Sequence, residues 1–375
     1  MAGLLEAYAM RPDSILVWRD PRARKALDWY WSVMTNRRPA RFKIARSVEA
    51  PRGYSRLGYR ELWELHDKLS SKALERWRLV RERGLAWDEL EDVEPSFLDV
   101  KVELAWRILR ECVFCEKKCR VDRTRSNRGA CRLGVETIVS SYFLHMGEEA
   151  PLVPSGTIFY GGCTFKCVFC QNYDISQEYP YPGEVVDARR LASIQEKLRR
   201  KGARNINHVG GDPTPGLHTI IESFKHLRVN VPQIWNSNQY QSVEGLKLIR
   251  DLIDLWLPDF KYWDNRCAIR LSLTARYRET LTRNLRMIVG HGDIIIRHLV
   301  MPNHLECCTK PILKWIAQNM PRETTVVNIM SQYRPEYKAA SNPSQYPDIA
   351  RPLTAREYEE AKNYAEELGL LHDLV

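Results

Sequence analysis

Between residues 156 and 330 the chain repeats one unit: a short β-branched or aromatic run followed by an amphipathic helical stretch. The runs lie at 156–160 (GTIFY), 203–209 (ARNINHV), 231–235 (VPQIW), 254–260 (DLWLPDF), 293–301 (DIIIRHLVM) and 324–330 (TTVVNIM). Helical stretches fall at 187–201, 217–227, 242–252, 274–289 and 310–319. A last helix is expected over 354–368, opened by a capping box of Thr354 and Glu357. Strands separated by helices pair in parallel through right-handed crossovers. The alternation therefore predicts an α/β fold built on a partial (β/α)6 TIM-like barrel; an open doubly wound sheet is the other architecture it allows. In a parallel βα barrel, chemistry sits where strands end and loops begin. Residues that core packing does not require collect at those ends: GGCTFKCVFCQN, GGDPTPG, WNSN, PDFK, RHLVMPNH and SQYRP.

Upstream the character changes. Residues 1–104 read as a mainly helical, tryptophan-rich, basic N-terminal region, 105–150 as a small four-cysteine metal module, and 151–375 as the barrel with its C-terminal helix. Helices are expected over 59–83 and 97–110. Seven of the eleven tryptophans precede residue 110, and they read as packing residues. The formal charge of +10 is uneven: residues 1–60 carry 13 Lys/Arg against 5 Asp/Glu. Such a region can meet nucleic acid, an acidic protein or an anionic lipid surface, and a solvated helical face reads equally well. No apolar run approaches the ~18–20 residues of a membrane span, and the N-terminus lacks the pattern of a secretion signal. A cytoplasmic protein without membrane association is expected.

Ten cysteines are present, and seven fall in two clusters. Cys163, Cys167 and Cys170 are spaced C-x3-C-x2-C directly after the first strand. Three thiolates in one loop suit a cubane iron–sulfur cluster and leave one iron open for substrate chemistry. Gly161 and Gly162 favour a turn here over a helical stripe. Cys112, Cys115, Cys119 and Cys131 are spaced C-x2-C-x3-C-x11-C. Four thiolates close a shell that fits zinc or a second iron–sulfur cluster, with a structural metal slightly preferred because no open position is evident. Cys267, Cys307 and Cys308 are scattered, and Cys307 and Cys308 read as packing or surface thiols. His304 and Glu306 form an H-x-E pair, but the downstream cysteine pair of a zinc deaminase is missing.

The run 161–177 (GGCTFKCVFCQNYDISQ), followed by VGGDPTP, WNSN, LPDFKY and RHLVMP, resembles the radical S-adenosylmethionine enzymes. Within them it is most similar to the pyruvate formate-lyase activating enzyme-like proteins, over about residues 105–335. The resemblance implies a [4Fe–4S] cluster on Cys163, Cys167 and Cys170 whose fourth iron binds S-adenosylmethionine. It implies that Phe169 packs on the adenine and that Gly210 and Gly211 allow close approach of the methionine moiety. Asp212 stands where a Glu is commoner and would meet the ammonium group. Asn236, Ser237 and Asn238 would reach the ribose and a monovalent cation. Asp259 would join the cation site, Lys261 would lie near the cofactor, and Arg297 would neutralise the carboxylate. The implied activity is reductive cleavage of S-adenosylmethionine to a 5′-deoxyadenosyl radical, which abstracts hydrogen from an unknown, possibly macromolecular, substrate. An electron donor such as flavodoxin or ferredoxin is implied. Two alternatives stand beside it: an activase that installs a glycyl radical on a partner enzyme, and a non-catalytic, metal-stabilised RNA- or protein-binding protein. Gln332, Tyr333 and Arg334 are substrate-side candidates by position alone.

Overall fold

Apolar runs that are covered on both faces form the centre of one sheet. The computed structural model describes residues 9–374; residues 1–8, part of the stretch read for a secretion signal, and residue 375 lie outside the described residues. The strands are β1 (Ile138–His145), β2 (Ser155–Tyr160), β3 (Glu184–Val185), β4 (Ile206–Gly210), β5 (Gln233–Ser237), β6 (Leu255–Pro258), β7 (Asp293–Leu299) and β8 (Thr325–Met330). They are ordered β3-β1-β2-β4-β5-β6-β7-β8. The pairs from β2 through β8 are all parallel. β5 and β6 are buried at every position, as a strand covered on both faces must be.

The expected runs at 156–160, 203–209, 231–235, 254–260, 293–301 and 324–330 all contain a parallel strand. β1 and β3 lie outside that pattern. β1 pairs antiparallel to β2 and to β3, and its buried-to-exposed alternation marks a sheet face open to solvent. Its sequence, IVSSYFLH, carries the strand signature inside the span read as a metal module.

The sheet curls. Asn207 on β4 donates to Glu148 at 3.0 Å, and Asn328 on β8 donates to Glu149 at 2.8 Å. In a flat sheet β4 and β8 would stand about 19 Å apart, at ~4.8 Å per strand. The order β2-β4-β5-β6-β7-β8 also advances in one direction, without the reversal of a doubly wound sheet, so the crossover helices fall on one face and a partial barrel remains.

The expected helices appear as Ala188–Arg200, Leu217–His226, Val243–Arg250, Tyr277–Ile288, Lys310–Asn319 and Ala355–Glu367. Thr354 and Glu357 form the reciprocal capping box. Upstream, helices span Tyr59–Arg83 and Phe97–Leu109. The earlier residues close the N-terminal end of the barrel. Trp29 Nε1 and the Arg41 amide both donate to Asp254, at 2.8 and 2.9 Å, and the Tyr30 amide donates to Asp293 at 2.7 Å. Trp18, Leu27 and Tyr30 pack on Ile234, Leu257, Ile295 and Val326. Part of the basic character is internal: Arg41, Lys43 and Arg46 are buried, and both Lys43 and Arg46 pair with Asp92, while most of the other basic side chains before residue 61 are exposed. No described helix is long and apolar enough to cross a membrane.

Candidate functional site

The N-terminal region occupies one end of the barrel, and the opposite, C-terminal rim holds a cavity of about 1040 Å³, part of it open to solvent. β2 ends at Tyr160, and the chain turns through Gly161 and Gly162. Gly162 takes φ +78°, and a side chain there would strike Leu133. The turn delivers Cys163, Cys167 and Cys170 to the cavity wall. Each thiol has a hydrogen-bond partner: the Phe165 amide donates to Cys163 Sγ at 3.3 Å, Ser272 Oγ to Cys167 Sγ at 3.0 Å, and Cys170 Sγ lies 3.3 Å from Ser176 Oγ. Burial pushes the thiols of Cys163 and Cys167 up, so the uncharged form is preferred until a cation replaces the proton.

Phe169 is buried beside the thiols, edge-on to Tyr333 at 5.7 Å. Tyr333 is fixed by a hydrogen bond to the Ile349 carbonyl at 2.7 Å. Gln332 and Arg334 line the same wall. Gly210 and Gly211 meet two demands. They line the cavity, and they let β2 and β4 close on each other: a Cβ on Gly210 would sit 2.1 Å from the Tyr160 amide, and one on Gly211 would sit 2.1 Å from the Gly162 carbonyl oxygen. Asn236, Ser237 and Asn238 follow from β5. Asn236 Nδ2 is buried with no protein partner, a donor left for a ligand.

Asp212 sits apart from this wall. Its carboxylate is buried and accepts Thr164 Oγ1 at 2.5 Å, Thr214 Oγ1 at 2.8 Å, the Thr214 amide at 3.1 Å and Asn238 Nδ2 at 3.1 Å. Burial raises its pKa against these bonds. Both oxygens are committed to tying the cysteine loop, the β4 loop and the end of β5 together.

Charge gathers in the same cavity around Asp259, Lys261 and Arg297. Lys261 pairs with Asp259 at 2.5 Å. Arg297 lies 3.5 Å from Asp259, 3.6 Å from Glu149 and 3.8 Å from Glu148. Burial opposes its charge, but the carboxylates of Glu149, Asp259 and Glu148 outweigh that and hold its pKa above the ordinary value. Sequence reasoning missed Glu148 and Glu149. They follow an unrecognised antiparallel strand, and a pair of acidic residues in a loop gives no sign that it turns into a barrel.

The four upstream cysteines line a second, smaller cavity together with Thr164 and Thr214. Thr164 adjoins Cys163, so the two cysteine groups share a wall. The Ala130 amide donates to Cys119 Sγ at 3.2 Å, and Arg123 reaches Cys112 Sγ at 3.7 Å. Lys117 is within electrostatic reach of Cys115, Cys119 and Cys163, and Lys166 of Cys163 and Cys131. Lys166 Nζ is buried without a hydrogen-bond partner, and Lys117 Nζ donates to the Leu273 carbonyl.

The family model described as Radical SAM superfamily matches residues 157–316. Uncharacterized protein MJ0674 of Methanocaldococcus jannaschii is 44% identical over 351 residues, 92% of this chain and 98% of that protein. Among solved structures, Streptococcus suis SuiB bound to precursor peptide SuiA aligns with a TM-score of 0.41 at 14% identity, over 56% of this chain and 46% of SuiB. The chain thus spans about half the length of SuiB. Methylornithine synthase (PylB) aligns at TM-score 0.36 and 12% identity over 92% of this chain and 84% of that one. Likeness at these scores carries no functional weight.

Proposed function

The chain belongs to the radical SAM superfamily, and from that premise we propose that the rim cavity cleaves S-adenosylmethionine reductively and applies the product radical to a substrate entering from the rim. The observation that carries this reading is the meeting, on one cavity wall, of three hydrogen-bonded thiols with a buried, unpartnered amide of Asn236. When bound, a [4Fe–4S] cluster and S-adenosylmethionine supply one-electron cleavage of the sulfonium and a 5′-deoxyadenosyl radical. Cys163, Cys167 and Cys170 would hold three irons and leave the fourth for the cofactor. Phe169 offers an apolar face for the adenine, and the unpartnered Asn236 Nδ2 offers a hydrogen bond for the ribose. Lys261 and Arg297 hold positive charge at the wall, set by Asp259, Glu148 and Glu149. The barrel walls exclude water from the reacting centre. Gln332 and Arg334 flank the entrance and face whatever substrate arrives.

A second iron–sulfur cluster on Cys112, Cys115, Cys119 and Cys131 deepens this reading. The shared Thr164 wall, next to Cys163, favours an electron path into the first cluster over a remote structural metal.

The test is formation of 5′-deoxyadenosine. The anaerobically reconstituted protein receives S-adenosylmethionine and dithionite, beside a Cys167→Ala control. Product from the wild type alone is expected. Absence of any iron–sulfur cluster in the wild type overturns the reading.

A further inference from the structure

Cys307 and Cys308 lie 40 residues downstream of Cys267, with nothing in the spacing to link them, but the fold makes them neighbours. Cys267 sits on helix Asn265–Ser272, in the connection after β6. Cys307 and Cys308 sit on a single π turn, Leu305–Thr309, in the connection after β7. The three sulfurs lie within 4.8 Å of one another. Cys267 and Cys307 are 4.0 Å apart, and Cys307 and Cys308 are 3.7 Å apart.

Those separations have a meaning. A tetrahedral ion with metal–sulfur bonds of about 2.3 Å holds its sulfurs about 3.8 Å apart. Neighbouring residues on a regular α-helix point about 100° apart. Here the wide π turn lets two consecutive cysteines face a common partner, and such turns recur at functional sites. The fully buried His304 stands beside the set. It is within electrostatic reach of Cys267, its Nδ1 lies 2.9 Å from the Pro302 carbonyl oxygen, and its Nε2 lies 3.5 Å from Asp348. Cys308 is fully buried while Cys267 and Cys307 are half-buried, so an ion can reach the site from solvent.

We propose that Cys267, Cys307 and Cys308 form a mononuclear site for a thiophilic divalent ion of the zinc type, with His304 beside its fourth position. The site is separate from both cysteine motifs and does not depend on S-adenosylmethionine chemistry. Three thiolates select a soft or borderline ion, and each releases its proton on binding. The ion ties the β6 connection to the β7 connection. The helix it grips ends against the first cysteine loop: the Val168 amide donates to the Leu271 carbonyl at 2.9 Å, and the Lys166 amide to the Ser272 carbonyl at 3.1 Å. The staple therefore stands directly behind the candidate cluster loop.

The test is metal content. Anaerobically purified, cluster-reconstituted protein is equilibrated with zinc sulfate, desalted, and its zinc and iron measured per chain. Wild type is compared with Cys267→Ser and Cys307→Ser, whose half-buried positions tolerate the change, with circular dichroism as the folding control. Each variant should carry one equivalent of zinc less than wild type at equal iron. Cobalt(II) should give wild type sulfur-to-metal charge-transfer absorption that the variants lose in part. Equal zinc in folded wild type and variants overturns the proposal. So does a loss of iron in place of zinc, or a Cys267–Cys307 disulfide in the anaerobic protein.

Discussion

Replacing Asp212 separates two roles that make opposite demands. If its carboxylate binds the ammonium group of the cofactor, Asp212→Ala weakens cofactor binding and leaves the cofactor-free fold intact. The hydrogen bonds predict the reverse. Removing the carboxylate frees two threonine hydroxyls, which can rotate to new partners. It also strands the Thr214 amide and one proton of Asn238 Nδ2, whose directions are fixed, and removes a longer 3.4 Å bond from the Thr164 amide that adds little. Each buried donor left unpaired costs about 1–3 kcal/mol. The expected loss is about 2–6 kcal/mol of unfolding free energy, two such donors at that cost. Asp212→Asn keeps the volume and one acceptor oxygen, and should lose about half as much. Urea unfolding of the metal-free protein reads the effect as a fall in midpoint, and equilibrium dialysis of the reconstituted protein reads cofactor affinity. An unchanged midpoint with weakened cofactor binding would refute the positioning argument and return Asp212 to the cofactor.

Three further outcomes are expected. Ser272→Ala removes the hydroxyl that donates to Cys167 Sγ at 3.0 Å; the cluster should become harder to reduce, and a spectroelectrochemical titration that shows no negative shift would contradict the contact. Lys101 and Asp251 form a buried ion pair at 2.9 Å between the helices Phe97–Leu109 and Val243–Arg250. Lys101→Met should cost about 3–5 kcal/mol, and adding Asp251→Leu should recover much of it in denaturant melts. His66, His208 and His298 are buried with pKa values lowered to about 4, by burial first and, for His66 and His298, by a nearby lysine as well. Their contribution to stability is complete above the unfolded value near 6.5 and is lost as pH falls through about 4. Unfolding should therefore take up protons across that window, and urea midpoints between pH 7 and pH 4 that stay level would count against neutral burial.

Much of this molecule is legible in its sequence because local physics and fold agree. The helices at Tyr59–Arg83, Leu217–His226 and Lys310–Asn319 follow their apolar periodicity, and Thr354 with Glu357 starts the last helix by satisfying its own orphan amides. The parallel strands read as apolar runs because both of their faces are covered, the outer by helices and the inner by the barrel interior. The cysteine loop was recognisable because its ligands are close in sequence and follow two glycines that force a turn. β1 is less legible, because IVSSYFLH alternates with one face open to solvent, pairs antiparallel and stands outside the strand–helix repeat.

What the tertiary structure alone decided is which distant groups meet. The curl of the sheet, fixed by Asn207 and Asn328 grasping adjacent glutamates, is a closure across several strands that no window of residues encodes. The same holds for Arg297, whose charge is balanced by Glu148, Glu149 and Asp259 from three separate segments. Asp212 shows the difference at one residue. Sequence places a carboxylate at the mouth of the second strand, and only the packed loops determine that Thr164, Thr214 and Asn238 take its lone pairs. Cys267, Cys307 and Cys308 show it again. Their chemistry is written in the sequence, and their convergence depends on two barrel connections folding side by side.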